Sequence, residues 1–440
     1  MSAKVPSIAS LKPVRDRFAD FNLKKHKKIL ILSAKSPSSV ISTAILCRSA
    51  LRANILFHVK FIDAVSSMQL IRKEKDSNSN SLLMLVGINA YGKKPSQKEP
   101  IVDVGSIYHA KLPISDSVEP EFFSPAVAYG FSKAKLKIEL DDLALATVGS
   151  IIESPSDKIA SKLIKTSEKV GIVSAKKGFK IPGTNFIPLN DLFCNSIYPY
   201  LDGLSGAPDQ CKKLLENTDL PFKKRTGHLS QLTAEEATRL NAVLLPRLSS
   251  SAISSILGSG DYELLREKHD SPIRYVATIN ALGHVAWCRN KMGLFLGVMI
   301  GDRARQLDSL KDLYREHCKE VLEGVYKLNE VLNDTEAQIQ TGNQYISTAI
   351  AIPEAVLSDV GRITLESSIG NENKFLILRT PQSLIVSWTQ DIPSLRVFSE
   401  MVNMNLAVSS KSYNSVMVAD SSEQTHAKIV ELMRTILDGA

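Results

Sequence analysis

The sequence is short of most features that announce a chemistry. Aromatic residues make up only 6% of the 440. The five cysteines, at 47, 194, 211, 288 and 318, form no CxxC pair and no metal-ligand spacing. That excludes a disulfide-stapled secreted domain and a zinc ribbon, and it fits free thiols in a reducing compartment. Long apolar runs are missing too. The longest, KILILSA at 28–34 and MGLFLGVMI at 292–300, fall far short of the roughly 20 residues a membrane helix needs. The opening residues, MSAKVPSIASLKPVRDRF, lack the apolar stretch of a secretory signal. The expected location is the cytoplasm. No GxxxxGK[ST], GxGxxG after a strand, HExxH or GxSxG occurs. The eight histidines are scattered, no two of them at i, i+3 or i+4 beside a carboxylate.

What is present is an ordinary globular composition, 44% hydrophobic and 23% charged, with a net charge of +8. That suits a chain of two or three domains and permits, without requiring, a polyanionic partner. Residues 1–26 read as a basic arm. From Lys28 the pattern is α/β: strands at 28–34, 55–61, 81–88 and 100–104 alternate with a helix at 39–51 and the polar stretch KEKDSNSNS. Buried strands separated by such segments predict a parallel sheet. Helices follow at 124–136, 140–153 and 156–169, the last opened by Ser156-Asp157.

Residues 191–301 read as a mostly helical middle region. Its clearest helix opens on the capping box Thr233–Glu236 and is closed by Pro246 and the segment SSSAISS. Apolar residues from Leu307 to Val331 recur at helical spacing, predicting one connecting helix over 302–335. The remainder, 336–440, alternates strands (STAIAI, RITLE, FLILR, SLIVSWT, SVMVA) with helices near 393–403 and 423–438, a small α+β domain.

The end of the first strand carries the most specific pattern. Ser33-Ala34-Lys35-Ser36-Pro37-Ser38-Ser39 followed by VISTAIL resembles the first motif of DHH-family phosphoesterases, S-H-x-D-x-D-G-[IV]-S-[SA]-A. In that family the histidine and both aspartates bind manganese or magnesium. Here the resemblance puts Ala34, Ser36 and Ser38 at those positions. Gly87 stands where a metal-bridging aspartate is expected. Asp103, Val104 and Gly105 stand at the Asp-His-His signature, and Glu153 at the last aspartate. SPAVAYGFSKA at 124–134, IYPYLDGLSG at 197–206 and NALGH at 280–284 resemble further segments of archaeal members. The C-terminal region is similar to the DHH-associated domain, with Ser409-Ser410-Lys411-Ser412 in place of its G-G-G-H loop.

The resemblance therefore implies a degenerate DHH-type parallel-sheet domain over 27–190, a helical middle, a long connecting helix and a DHH-associated α+β domain. It implies no catalytic residue, no metal and no cofactor. Chains that keep this frame and lose its ligands form the cell division control protein 45 family, the catalytically silent RecJ-like subunits of the replicative helicase. The implied partners are the GINS complex, the MCM helicase and single-stranded DNA, at a chromosome-associated location. Lys223, Lys224, Arg225 and Lys411 are the candidate nucleic-acid contacts, with Lys24–Lys28, Lys176-Lys177 and Lys212-Lys213 as further basic runs. Trp388 reads as a core residue more readily than as a base-stacking platform. Two alternatives use the same residues: a divergent single-strand-specific exonuclease relying on Asp103 and Glu153, and a stand-alone single-stranded nucleic-acid-binding protein.

Overall fold

A computed structural model gives the structure of the chain. It describes residues 28–78, 81–91, 101–106, 124–154, 157–176, 178–248, 250–257, 260–334, 340–342, 344–367, 369 and 373–438, with Lys12, Asp16, Phe18, Leu23 and His26 before them. The expected N-terminal arm thus lies almost wholly outside the described residues. The chain forms two compact units, one of 1–174 with 290–310, the other of 175–289 with 311–440.

The first unit is built on four parallel strands: β1 (Lys28–Ala34), β2 (Leu56–Ile62), β3 (Ser81–Gly87) and β4 (Ile101–Ser106), in the order β2-β1-β3-β4. Every residue of β3 is buried, the continuous apolar run that a sheet covered on both faces requires. Helix α1 (Pro37–Arg52) starts where the sequence encodes a start. Ser36 caps it by accepting the Ser39 amide at 3.3 Å, and Pro37 takes the first position, where its missing N–H costs nothing. Apolar and small residues cover it all round, and 13 of its 16 residues are buried. Such a helix belongs in a core. It packs against α3 (Ser124–Lys135) and α4 (Leu140–Glu153), and against the apolar helix Met292–Ile300 that the chain returns to this unit.

One expectation for this region changes and another holds. Of the polar stretch KEKDSNSNS, the first four residues belong to helix α2 (Met68–Asp76), whose start Ser67 caps. Charged residues are good helix formers once a cap supplies the start. Helix α5 (Lys158–Lys169) has Asp157 as its N-cap, accepting the amides of Ile159 at 2.7 Å and Ala160 at 3.1 Å.

The second unit carries a six-stranded mixed sheet. Its strands are β5 (Gln340–Gly342), β6 (Tyr345–Ala349), β7 (Phe375–Arg379), β8 (Leu384–Trp388), β9 (Val408–Ser412) and β10 (Ser415–Val418), in the order β9-β10-β8-β7-β6-β5. Helix α6 (Ala234–Leu244) opens on the expected capping box, with Thr233 and Glu236 exchanging hydrogen bonds of 2.8 and 3.2 Å. SSSAISS does not simply close it: Ser250–Leu257 forms a further helix, α7. Helix α8 (Val276–Cys288) is buried at 12 of its 13 positions. Helix α9 (Arg305–Asn333) is the expected long one, 29 residues or roughly 44 Å at 1.5 Å per residue, and the boundary between the units falls within it. RITLE is not a strand. It ends helix α10 (Glu354–Glu366), because Ile363 and Thr364 extend the buried face begun by Val356, Leu357 and Val360. Its β-branched content suggested a strand; the 3.6-residue period decides.

Candidate functional site

At the carboxyl end of the first unit's sheet, β1 ends at Ala34 beside Ile62 of β2, and β3 ends at Gly87, whose φ of +68° suits a glycine. The loop into α1 is a closed set of hydroxyls. Ser36 Oγ donates to Ser39 Oγ at 2.8 Å and lies 3.3 Å from Ser38 Oγ. Ser42 Oγ donates to the Ser38 carbonyl at 2.7 Å and lies 3.1 Å from Ser124 Oγ. Thr43 Oγ1 donates to Ser33 Oγ at 2.9 Å. All of these side chains are fully buried, so their mutual bonding is what makes the burial affordable.

Glu153 ends α4 beside Ser38. Burial pushes its carboxyl up from 4.5 to about 8, against which the Ser38 hydroxyl works only in part. Its Oε2 is enclosed with no hydrogen-bond partner. The acid is therefore neutral at pH 7. Asp63, at the end of β2, is paired with Lys35 at 3.3 Å. Asp103 and Gly105 lie on β4, the Asp103 side chain outside the described residues, and Val104 is buried. Mg²⁺ and Mn²⁺ require hard oxygen donors, usually carboxylates, and a pair of them about 3.5–4 Å apart requires several. Among the described residues Ala34, Gly87 and Val104 offer no side-chain donor, Ser36 and Ser38 offer uncharged hydroxyls, and the single carboxyl of Glu153 is too few for that group.

The second unit holds a different kind of site. Asp359, on α10, is 1% exposed and stands at the centre of a hydrogen-bonded hub. His284 of α8 places Nε2 at 3.2 and 3.1 Å from its two oxygens. His317 of α9 places Nε2 at 2.8 Å from Oδ2. The Tyr198 hydroxyl donates to Oδ1, and Arg362 Nη2 reaches it at 3.5 Å. Cys288, one helical turn after His284, puts Sγ 3.2 Å from that imidazole and 3.7 Å from Oδ2. Arg289 Nε donates to His317 Nδ1 at 3.1 Å, so the His317 proton is on Nε2 and points to Asp359.

The charges follow from these contacts. Burial alone would raise Asp359, but the charge and hydrogen bond of His284, with the His317 hydrogen bond, hold it well below the usual carboxylate range. Burial opposes a charged His284, yet Asp359 brings it up to about 10. Burial keeps His317 below its ordinary value and neutral.

A cavity of about 610 Å³ opens beside the hub, lined by Tyr198, Pro199, Asn280, His284, Arg362 and Ser412 among others. Three separated segments singled out in the sequence, 197–206, 280–284 and 409–412, thus meet at one cavity. The Trp287 indole fixes this junction by donating to the Ser410 carbonyl at 3.2 Å. Sequence reasoning missed Asp359, His317, Cys288 and Arg362, and gave no role to Tyr198 within the 197–206 segment. The expectation that no cysteine has metal-ligand spacing is corrected here: His284 and Cys288 share a helix face at i, i+4, a signal that a search for histidine pairs and CxxC passes over.

Of the basic candidates, Lys223 is exposed next to Phe222, itself 76% exposed. Lys224 Nζ donates to the Gln231 carbonyl at 2.8 Å and pairs with Glu236 at 3.3 Å. Arg225 Nε donates to the Leu220 carbonyl at 2.7 Å, and Lys411 pairs with Glu354 at 2.8 Å. Trp388 is buried, its indole donating to Ser394 Oγ at 3.2 Å.

No family model matches the chain, and no curated protein matches it. Solved structures do. CDC45 from Entamoeba histolytica matches with a TM-score of 0.60 at 10% identity, over 97% of this chain and 99% of that one. RecJ from Thermus thermophilus in complex with Mn²⁺ matches with a TM-score of 0.51 at 12% identity, over 98% of this chain and 56% of that one. The chain has a CDC45-like and RecJ-like fold. Among the described residues no helix is long and apolar enough to cross a membrane.

Proposed function

We propose that the chain is a non-catalytic RecJ-like scaffold of the replicative helicase assembly, binding the GINS complex and MCM and acting at the chromosome. The match to CDC45 along nearly the full length of both chains supports the architecture of such a subunit. The observation that carries the reading is the chemistry of the first unit's sheet end. Where this fold would place anionic and imidazole ligands, the described residues offer interlocked hydroxyls, a methyl group, a glycine and one neutral acid. Removing ligand charge from a two-metal site removes the ions that would generate the nucleophile and stabilise the leaving oxygen. The fold, stripped of that chemistry, is left to hold other proteins.

The test has two arms. Purified chain incubated with end-labelled single-stranded DNA and Mn²⁺ is expected to release no nucleotide. Co-expression with GINS and MCM subunits is expected to yield a complex that survives gel filtration. Turnover abolished by Asp103→Ala would overturn the scaffold reading in favour of a divergent exonuclease. Single-strand binding without any retained GINS would favour the stand-alone nucleic-acid-binding protein.

A further inference from the structure

The geometry points to a binding site in the second unit for one borderline transition-metal dication of the Zn²⁺ class, held by His284 Nε2, Cys288 Sγ and the Asp359 carboxylate. The three donor atoms lie within 4.8 Å of one another and all three residues are buried. Their separations are 3.2 Å for nitrogen to sulfur, 3.1 Å for nitrogen to Oδ2 and 3.7 Å for sulfur to Oδ2. Zn–N of about 2.0–2.1 Å, Zn–S of about 2.3 Å and Zn–O of about 2.0–2.2 Å give a tetrahedron with edges of about 3.3–3.6 Å. The triad therefore has nearly the dimensions of one tetrahedral face, and shifts of a few tenths of an ångström complete it.

The supporting residues are also in place. His284 and Cys288 stand one turn apart on α8, so a single rigid helix sets two of the three donors. Asp359 is aimed by groups that leave it room to ligate: Tyr198 holds Oδ1, and His317 donates to Oδ2. Arg289 fixes the His317 tautomer with that proton inward, so His317 orients the carboxylate and does not ligate. Such outer partners fix ligand geometry in metal sites. His284 also lines the 610 Å³ cavity, which leaves the fourth coordination position to solvent or to a small ligand.

The donor set selects the metal. A thiolate and an imidazole suit Zn²⁺, Co²⁺ or Fe²⁺, whereas Mg²⁺ and Mn²⁺ prefer all-oxygen surroundings. On coordination the thiol and imidazolium protons pass to solvent, so a dication with a thiolate, a carboxylate and a neutral imidazole leaves the buried site uncharged. This site lies in the other unit from the sheet end of the DHH resemblance and takes a different class of metal.

The test uses the full chain, expressed without an affinity tag, stripped with chelator and titrated with Zn²⁺, Co²⁺ and, as a hard control, Mg²⁺. One equivalent of Zn²⁺ is expected to survive gel filtration, while Mg²⁺ does not. The Co²⁺ form should show thiolate-to-cobalt charge transfer together with the intense visible bands of a tetrahedral ion. Cys288→Ser should remove the charge-transfer band and weaken binding tenfold or more, and His284→Gln serves as the second ligand variant if the first does not fold. His317→Ala should weaken binding tenfold to a hundredfold while keeping the charge transfer. Cys194→Ser, at a half-exposed thiol outside the hub, should change neither. Failure of folded wild-type chain to retain Zn²⁺ or Co²⁺, or charge transfer that persists in Cys288→Ser, overturns the site and leaves the cluster a metal-free hydrogen-bond network.

Discussion

Glu153→Gln should make the protein more stable, and increasingly so as the pH rises. The carboxyl is raised from 4.5 to about 8 in the folded chain by burial, and its Oε2 has no partner. Between those two values the folded state keeps a proton that the unfolded chain has released. Stability therefore falls with rising pH, by about 1.4 kcal/mol per pH unit for one group. The contribution is fully present below pH 4.5 and fully lost above about pH 8, a total of roughly 5 kcal/mol, of which roughly 3 is already lost at pH 7. Glutamine has nearly the same shape and does not titrate, so the variant is free of this loss. The assay is urea unfolding of both proteins at half-unit steps from pH 5 to 9, read as the difference in unfolding free energy. That difference should climb steadily to about pH 8 and then level off. A difference independent of pH over this range would refute a Glu153 carboxyl held neutral by its enclosure.

Two other substitutions test how tightly the first unit's helices are set. A Cβ at Gly149 would lie 2.7 Å from Pro125 Cγ and 3.2 Å from Ile41 Cγ2, and a proline ring cannot rotate away, so Gly149→Ala should cost about 1–3 kcal/mol in urea unfolding. Asp142, 0% exposed, accepts Arg52 at 2.6 and 2.9 Å, Arg48 at 3.1 Å and the Glu139 amide at 2.7 Å. Asp142→Asn leaves two half-buried guanidinium groups facing a neutral amide and should cost about 3–5 kcal/mol in urea unfolding.

Much of the architecture was legible because its signals are local. KILILSA and SLLMLVGI are uninterrupted apolar runs of strand length, and the Leu307–Val331 spacing is a helix whatever it touches. RITLE was misread because five residues are too few to separate a period of two from one of 3.6. Only the residues before it, Val356 to Val360, show which face is continuing. At the sheet end the positions of Ala34, Ser36, Ser38 and Gly87 have meaning only within a family frame, since an isolated serine announces nothing. The neutrality of Glu153 was not legible at all: a carboxyl's charge depends on what packs over it, and that is decided by α4 ending beside the α1 loop. The hub is harder still. Tyr198, His284, His317 and Asp359 come from a turn and three helices spread over 161 residues of sequence, with the His284–Cys288 turn as the one local clue.

The two sites differ in what their burial costs, and this bears on where chemistry remains. A hydroxyl that exchanges its hydrogen bonds with neighbouring hydroxyls is nearly indifferent to leaving water, so the serine loop of the first unit needs no explanation beyond stability. A buried carboxylate is different. Its desolvation costs several kcal/mol, and paired charges in a core are on average no better than well-packed apolar residues of the same volume. Asp359 nevertheless stands 1% exposed with a charged His284, a neutral His317, Arg362 and a tyrosine arranged around it. Packing alone would be served as well by leucine and phenylalanine at these positions. The hub therefore requires a reason beyond cohesion. A site for a cation or for a ligand entering the adjoining cavity supplies one.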